Sequence, residues 1–169
     1  MSSKKKWYFR KRIILPLILL LVCLLGPRLK FDKLDSSMPY INMELSELDN
    51  FIKEKESKIE GLKPNNEARI VWADSIRKTE YSVVYLHGYS ASPMEGDGVH
   101  LPFAKRYGCN LFLARLQGHG TEGEDRFLDS TPQKWLDSAK EAIAIGRLMG
   151  EKVIVMSAST GGTLSTYLA

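Results

Sequence analysis

Near the end of the 169-residue chain the sequence reads Val153-Ile154-Val155-Met156-Ser157-Ala158-Ser159-Thr160-Gly161-Gly162. The β-branched and apolar run that opens this stretch predicts a buried strand, and the small residues after it predict a tight turn into a helix over 163–169. A serine at a sharp strand-to-helix turn has its hydroxyl lifted clear of the backbone and aimed away from the sheet. Ser159 is therefore the candidate nucleophile. Such turns usually read Gly-x-Ser-x-Gly, because glycine relieves crowding on both sides of the serine, and here Ser157 stands at the first glycine position.

Two more stretches share this design of an apolar strand that ends in small residues. One reads Ser82-Val83-Val84-Tyr85-Leu86-His87-Gly88-Tyr89-Ser90-Ala91-Ser92, and its loop offers backbone N–H groups. The other reads Leu111-Phe112-Leu113-Ala114-Arg115-Leu116-Gln117-Gly118-His119-Gly120. In this order and at this spacing, the three motifs resemble the α/β-hydrolase family, in particular its monoacylglycerol lipase, lysophospholipase and carboxylesterase-like members. The resemblance covers residues 67–169.

Strands and helices are predicted to alternate along the same residues. The apolar runs indicate strands at 68–73, 82–86, 109–114 and 153–156, with helices at 93–106 and 132–149. Strands that are joined by helices run parallel through right-handed crossovers, so the pattern predicts an open, doubly wound, mainly parallel sheet. Ligands of such sheets bind beyond the carboxyl ends of the strands. Tyr89, His119 and Ser159 are therefore expected on one rim.

The resemblance implies roles for residues on this rim. A serine hydroxyl attacks well only when a histidine takes its proton and a carboxylate orients that histidine. The family binds the oxyanion with two backbone N–H groups, which correspond here to those of Tyr89 and Thr160. The resemblance further implies that four residues support the loops around Ser159, namely His87, Gly88, Gly161 and His119.

The triad's acid and base are expected to be absent from residues 1–169. His87 shapes the oxyanion loop in the resembling family, and His100 is expected on the surface of a helix. His119 precedes the nucleophile in the chain, whereas the family's order is Ser, acid, His, so His119 is not expected to be the base. A base role for His119 is the alternative. The loop carboxylates without a visible partner are Glu95, Asp97, Glu124, Asp125 and Asp129. The chain is therefore expected to be the N-terminal portion of a longer hydrolase, with the strand before Ser159 left at a sheet edge.

Composition limits the kinds of protein that this chain can be. With 44% hydrophobic and 26% charged residues, it can hold one domain with a real core. Its net charge of +4 arises at positions 4–12, which carry six of the 24 basic residues; the rest has 18 basic against 20 acidic residues, so no nucleic-acid partner is expected. Cys23 and Cys109 are too few for a disulfide scaffold or a metal cluster. No phosphate-binding loop or dinucleotide fingerprint occurs, so no cofactor is expected.

Residues 1–30 predict a membrane-directed segment. The uncharged run from Ile13 to Gly26 follows the basic cluster, but as a helix it rises only about 21 Å against a hydrocarbon core of about 30 Å. No small-x-small cleavage site follows, and Pro27 disfavours a cut, so an uncleaved single-pass anchor is favoured. Six bases before the run predict a cytoplasmic N-terminus with the remainder on the far side. A cleaved signal, which would export the domain, and a lipid-modified Cys23 are the alternatives.

Residues 31–66 predict a linker followed by an amphipathic helix. The first part carries no periodic pattern. Apolar residues then recur every three to four positions, at Leu45, Leu48, Phe51, Ile52, Ile59 and Leu62. Ser46 and Asp49 are spaced as a capping box, and Gly61 is expected to end the helix. The apolar stripe suits docking on the domain formed by 67–169 or lying on a membrane, and the sequence leaves both open.

Two functions remain. The resemblance implies a membrane-anchored serine hydrolase, an esterase or lipase that acts on a lipid-like or small acyl ester through an acyl-enzyme. The alternative is a noncatalytic, membrane-anchored α/β-hydrolase-like module that binds a ligand or partner at the same rim. Ser157 in the turn and the missing base favour this alternative, and an Asp and a His on strand-end loops beyond position 169 would decide for the enzyme.

Overall fold

The computed structural model describes residues 3–26 and 33–169, and the chain divides into two compact units, Met1–Lys33 and Leu34–Ala169. In chain order the elements are α1 (Ser3–Leu25), α2 (Leu45–Ser57), β1 (Arg69–Val71), β2 (Thr79–Leu86), α3 (Asp97–Tyr107), β3 (Asn110–Ala114), α4 (Pro132–Met149), β4 (Gly150–Ser157) and α5 (Ser159–Leu168). Two short 3₁₀ turns, Pro93–Gly96 and Glu124–Phe127, precede α3 and α4. Positions 27–32, the end of the predicted N-terminal segment and the start of the predicted linker, lie outside the described residues.

The four strands form one mixed, mostly parallel sheet in the order β1-β3-β2-β4. β2 runs parallel to both β3 and β4, as expected for strands joined by crossover helices. β1 instead runs antiparallel to β3. Only residues 72–78 link β1 to β2. This link is too short for the crossover connection that would make β1 parallel to the other strands of the sheet. β4 lies at an edge of the sheet, the position predicted for the strand before Ser159.

Helices cover both faces of the sheet, which is the doubly wound arrangement. Alternate residues of β2 face opposite sides: Val83 and Tyr85 pack with α3, whereas Val84 and Leu86 pack with α2, α4 and α5. From the central β2 the chain passes through α3 to β3 on one side, and from β3 it returns through α4 to β4 on the other side of β2. The reversal lies between β2 and β4, the place where such sheets bind ligands at the carboxyl ends of their strands.

The α2 helix docks on the sheet domain, which decides a choice that the sequence leaves open. Leu48 and Ile52 are buried in the core that the sheet shares with α4 and α5. Glu56, in the last turn of α2, forms a buried ion pair with Arg115, with its Oε2 2.7 Å from Nε. The apolar stripe of α2 is thus covered by the domain.

The predicted capping box of α2 is wrong. The helix begins at Leu45 with Glu44 at its N-cap and no side-chain cap, and it ends at Ser57, before Gly61. Asp49 is unavailable for capping because its carboxylate accepts the indole N–H of Trp72 at 2.8 Å. A contact 23 residues away therefore overrides the local pattern.

The α1 helix contains the predicted membrane-directed run. It is 23 residues long, includes Pro16, and exposes its large apolar side chains, from 49% at Ile14 to 75% at Leu25. Across 3–26 and 33–169, no helix combines the length and the apolar character needed to cross a bilayer. The membrane anchor, its orientation and its alternatives stay predictions.

Candidate active site

Three neighbouring strands end side by side, and each continues into one of the three sequence motifs. Leu86, the last residue of β2, is in register with Ala114 at the end of β3 and with Ser157 at the end of β4. The loops that follow these residues therefore leave the sheet at the same edge. They are the His-Gly loop (87–92), the Gly-His-Gly loop (115–121) and the serine turn (158–162).

Ser159 begins α5 at a sharp turn. The preceding Ala158 is extended, with φ −122° and ψ 141°, whereas Ser159 has φ +42°. A residue with a side chain rarely adopts this left-handed conformation, which costs about 1–3 kcal/mol. Ser159 is also exposed. The turn thus presents its hydroxyl above the sheet, the geometry in which an elbow serine is held for attack.

Gly161 allows α5 to start directly against β2. A Cβ on Gly161 would lie 2.2 Å from the carbonyl oxygen of Leu86, far inside van der Waals contact. Two backbone hydrogen bonds cross this contact, from Ala158 N–H to Leu86 O at 3.0 Å and from Gly161 N–H to His87 O at 3.1 Å. The second glycine of the usual pattern is therefore required by the close approach of the helix to the central strand.

Ser157 stands where the first glycine is usual, and the turn accommodates it. Its side chain is exposed, and its Oγ lies 3.2 Å from Oγ of Ser165 on the second turn of α5. The Ser165 hydroxyl also lies 2.9 Å from the carbonyl oxygen of Gly161. The hydroxyl of Ser157, at the end of β4, thus makes a polar contact with α5.

His87 is buried beneath the His-Gly loop with both ring nitrogens engaged. Nδ1 lies 2.8 Å from the carbonyl oxygen of Gly88, and Nε2 accepts the backbone N–H of Leu116 at 3.0 Å. These partners assign the proton to Nδ1 and make the imidazole neutral. Burial lowers the pKa of His87 to about 4, although the hydrogen bond to Gly88 acts in the opposite direction. Neither nitrogen is free to take a proton from Ser159.

The bond from His87 also sets the direction of the next N–H. The Gly88 carbonyl and the Tyr89 N–H belong to one planar trans peptide and point in opposite directions. Holding this oxygen toward the buried imidazole turns the Tyr89 N–H away from it. A Cβ on Gly88 would lie 3.4 Å from Cβ of Ser159, so the loop passes close to the serine. Within the described part of the chain, no acceptor is bonded to the N–H of Tyr89 or Thr160.

His119 is buried in an aromatic cluster with Tyr89, Phe127 and Trp135. The centroid of its ring lies 6.0, 4.8 and 5.4 Å from theirs, respectively. Its Nδ1 lies 3.0 Å from the carbonyl oxygen of Gln117, and its Nε2 has no partner among the described residues. Burial lowers the pKa of His119, so the ring is neutral near pH 7. His119 therefore supports Tyr89 from inside.

The prediction that His100 lies on the surface is wrong. The side chain is fully buried, with Nε2 3.0 Å from the carbonyl oxygen of Pro93 and its ring centroid 4.7 Å from that of Tyr85. It lies four residues before Ala104, on the side of α3 that faces the sheet. Among the described residues, no histidine is hydrogen-bonded to Ser159 or to a carboxylate.

Glu95 has partners that the sequence does not reveal. Its Oε2 accepts the Gly88 N–H at 2.7 Å and the Tyr85 hydroxyl at 3.2 Å. The turn that brings the carboxylate back is signalled only by Ser92 and Pro93, a cap and a first helical residue. The side chain of Glu124, another predicted loop carboxylate, lies outside the described set.

Sequence reasoning also missed residues that complete the rim. Phe127 stacks on Tyr89, with ring centroids 5.1 Å apart, and Arg126 donates from its guanidinium to Ser90 Oγ at 2.6 Å. Trp135, on α4, is half-buried and joins the aromatic cluster. In the described ranges, no three His, Cys, Asp or Glu side chains are grouped to hold a metal.

A strained serine turn at the carboxyl edge of a mostly parallel sheet is typical of α/β-hydrolases. The chain is similar to a thermostable monoacylglycerol lipase from Bacillus sp. (strain H-257). The two are 33% identical over 87 residues, which is 52% of this chain and 34% of the lipase, so the chain spans about a third of its relative's length. No protein-family model matches the chain. The similarity supports an α/β-hydrolase-like relationship and suggests a lipase- or esterase-like hydrolase.

Proposed function

We propose that the chain is part of a serine esterase or lipase in which Ser159 attacks the carbonyl carbon of an ester. The observation that carries the proposal is the backbone of Ser159, an exposed serine held at φ +42°. A strained residue persists only where its surroundings over-determine it, and such residues cluster at active sites. Here the close packing of Gly161 on β2 and two backbone hydrogen bonds hold the turn.

Attack on an ester places negative charge on the carbonyl oxygen of a tetrahedral intermediate. In the proposed mechanism, the N–H groups of Tyr89 and Thr160 donate to this oxygen, and the start of α5 adds a favourable dipole. Loss of one such donor costs about 10²- to 10³-fold in kcat. The alcohol then leaves, and water hydrolyses the acyl-enzyme.

The general base and the acid that orients it come, in this proposal, from outside residues 1–169. Both nitrogens of His87 are engaged, and His100 and His119 are fully buried. In the resembling family, the acid and the base follow the nucleophile along the chain. The 169 residues alone are therefore proposed to be catalytically incomplete.

The proposed substrate is an ester with an apolar acyl chain. Tyr89 is 59% exposed beside Ser159 and is backed by Phe127. Met94 in the first 3₁₀ turn and Leu128 directly after the second are also exposed. An acyl chain gains by covering such a surface. The name of the relative, a monoacylglycerol lipase, is consistent with a lipid-like ester.

Hydrolysis of a short-chain chromogenic ester, with fluorophosphonate labelling alongside, tests the proposal. We expect turnover by the full-length gene product that Ser159→Ala abolishes. We expect negligible turnover by the 169 residues alone, because removal of the base from such a triad leaves only about 10³- to 10⁴-fold acceleration over water. Labelling that persists undiminished in Ser159→Ala would remove Ser159 from the mechanism.

His119→Ala is the control for the missing base. Substantial turnover by the 169 residues that this change abolishes would make His119 the base and would overturn the assigned roles. Turnover by the full-length protein should instead survive His119→Ala at a reduced level, because the ring supports Tyr89 from inside the aromatic cluster.

We also propose that the N-terminal segment anchors the protein in a membrane, with its N-terminus cytoplasmic. The support is the uncharged run 13–26 behind six basic residues. Protease treatment of intact spheroplasts should remove the domain and leave a small membrane-bound stub. Recovery of a soluble mature protein that begins near residue 27 would contradict the proposal.

A further inference from the structure

Two successive peptide groups of the His-Gly loop are clamped. The His87–Gly88 peptide is held at both ends, because its carbonyl oxygen accepts the Gly161 N–H at 3.1 Å and its N–H donates to Glu95 at 2.7 Å. The next peptide, Gly88–Tyr89, is held through its carbonyl oxygen, which accepts from the ring of His87 at 2.8 Å and from the Ala91 N–H at 3.3 Å. Its N–H is the open donor beside Ser159. Because the two peptides share Gly88, the aim of this donor also depends on the peptide before it.

Glu95 is itself held in place by its surroundings. It lies in the 3₁₀ turn Pro93–Gly96, and its backbone N–H donates to the carbonyl oxygen of Ser92 at 3.0 Å. The hydroxyl of Tyr85, on the central strand, donates to the same Oε2 that accepts the Gly88 N–H. Burial and the neighbouring carboxylate raise the pKa of Tyr85 to about 12, so its hydroxyl keeps its proton near pH 7. A side-chain donor and a backbone donor thus fix one carboxylate oxygen.

The carboxylate also lies close to the nucleophile. A Cβ on Gly88 would be 3.1 Å from Oε1 of Glu95 and 3.4 Å from Cβ of Ser159, so one small residue separates the two side chains. A negative charge at this distance opposes the charge that develops on an oxyanion. Direct stabilisation of the intermediate is therefore excluded as the role of Glu95. What its position can supply is a fixed acceptor for the loop.

We infer that Glu95 is a positioning residue: its carboxylate holds the His87–Gly88 peptide so that the Tyr89 N–H stays aimed at the oxyanion. The inference rests on the proposed hydrolase function. Without the carboxylate, the peptide is held only through Gly161, and the loop can rotate about Gly88, which has the freest backbone of any residue type. A hydrogen bond to a charged acceptor is stronger than a neutral one, and its loss is expected to lower kcat about tenfold.

The test compares Glu95→Ala, Glu95→Gln and a control, Glu60→Ala, in the full-length protein. Glu60 is exposed and lies outside the loops of the candidate site. We expect Glu95→Ala to lower kcat about tenfold with KM unchanged, and to speed amide hydrogen exchange at Gly88 and Tyr89. Glu95→Gln retains an amide oxygen as acceptor, so it should recover most of kcat and of the protection. Glu60→Ala should match the wild type in all three measurements.

Three results would overturn the inference. Unchanged exchange at Gly88 and Tyr89 in Glu95→Ala would show that the carboxylate does not hold the loop. A raised KM with unchanged kcat would make Glu95 a substrate contact. A wild type that neither hydrolyses esters nor reacts with fluorophosphonate refutes the hydrolase function, and so also the positioning role, whatever the exchange shows. If Glu95→Ala does not fold, the same measurements on Glu95→Gln decide: we expect a kcat between that of the wild type and the tenfold loss predicted for Glu95→Ala, with faster exchange at Gly88 and Tyr89 than in the wild type.

Discussion

Substitution of alanine at Gly161 and at Gly162 separates the two glycines that follow Ser159. A Cβ on Gly161 would lie 2.2 Å from Leu86 O and 2.6 Å from its carbonyl carbon, both backbone atoms of the central strand. At Gly162 the nearest atom would be Ser157 Oγ at 3.8 Å, an ordinary contact. Two adjacent positions in the same helical turn thus differ sharply in the space available for a methyl group.

The expected effects follow from three contributions. Alanine stabilises a helix by about 0.8–1 kcal/mol relative to glycine, and this is the whole expected effect at Gly162. At Gly161, overpacking costs about 1–3 kcal/mol, and loss of the hydrogen bond to His87 costs about 0.5–1.5 kcal/mol more. The net expectation for Gly161→Ala is a loss of about 2 kcal/mol.

Urea unfolding of both variants and the wild type measures these free energies directly. Gly161→Ala should lower the midpoint, whereas Gly162→Ala should leave it unchanged or raise it. Ser159 should also lose fluorophosphonate reactivity in Gly161→Ala, because the turn that presents its hydroxyl has to move away from β2. Equal stabilities for the two variants would refute the claim that close packing at Gly161 holds the serine turn.

Three further predictions concern pH, a buried charge and the first glycine position. The pKa of His87 is about 4 in the folded protein against an ordinary 6.5. Because the folded state disfavours the charged ring, the neutral ring contributes about 3 kcal/mol to the free energy of unfolding above pH 6.5, and this contribution is lost as the pH falls from 6.5 toward 4. His87→Asn should weaken this pH dependence without removing it, because the lowered pKa of His119 also makes stability fall at low pH. Plots of unfolding free energy against pH with the same slope in the variant and the wild type would contradict the prediction. Glu56→Gln leaves the buried guanidinium of Arg115 without its counter-ion and should lower the free energy of unfolding by about 3–5 kcal/mol. Adding Arg115→Met should recover part of that loss. If the effects of the two substitutions simply add in this double-mutant cycle, the two side chains are not energetically coupled and the prediction is wrong. Ser157→Gly should change stability by less than about 1 kcal/mol and leave activity intact, and a loss as large as that of Ser159→Ala would give Ser157 a chemical role.

Local patterns in the sequence are enough to predict the sheet and the edge where its motifs meet. The strands around Val84, Phe112 and Val155 are recognised because buried parallel strands are continuous apolar runs. The start of α4 is also local, since Thr131 caps the helix by accepting the Lys134 N–H at 3.2 Å. Parallel strands in register then bring their end loops together without further information.

Contacts between residues far apart in the chain were not predictable in this way. Asp49 belongs to a capping box by spacing, yet Trp72 takes its carboxylate. His100 looks like a surface residue in a polar helix, but the orientation of α3 buries it against Tyr85. In each case a tertiary partner outcompetes the local pattern, because burial and a specific hydrogen bond are worth more than capping or propensity.

The sequence alone was sufficient to name Ser159 as the candidate nucleophile, because a strand, a small-residue turn and a helix are all encoded within a few positions. Tertiary structure alone decided that the Tyr89 N–H is turned away from the buried ring of His87, and that Glu95 holds the peptide before it. The direction of an N–H depends on which donors and acceptors surround its own peptide and the neighbouring one. Those groups come together only when the chain has folded.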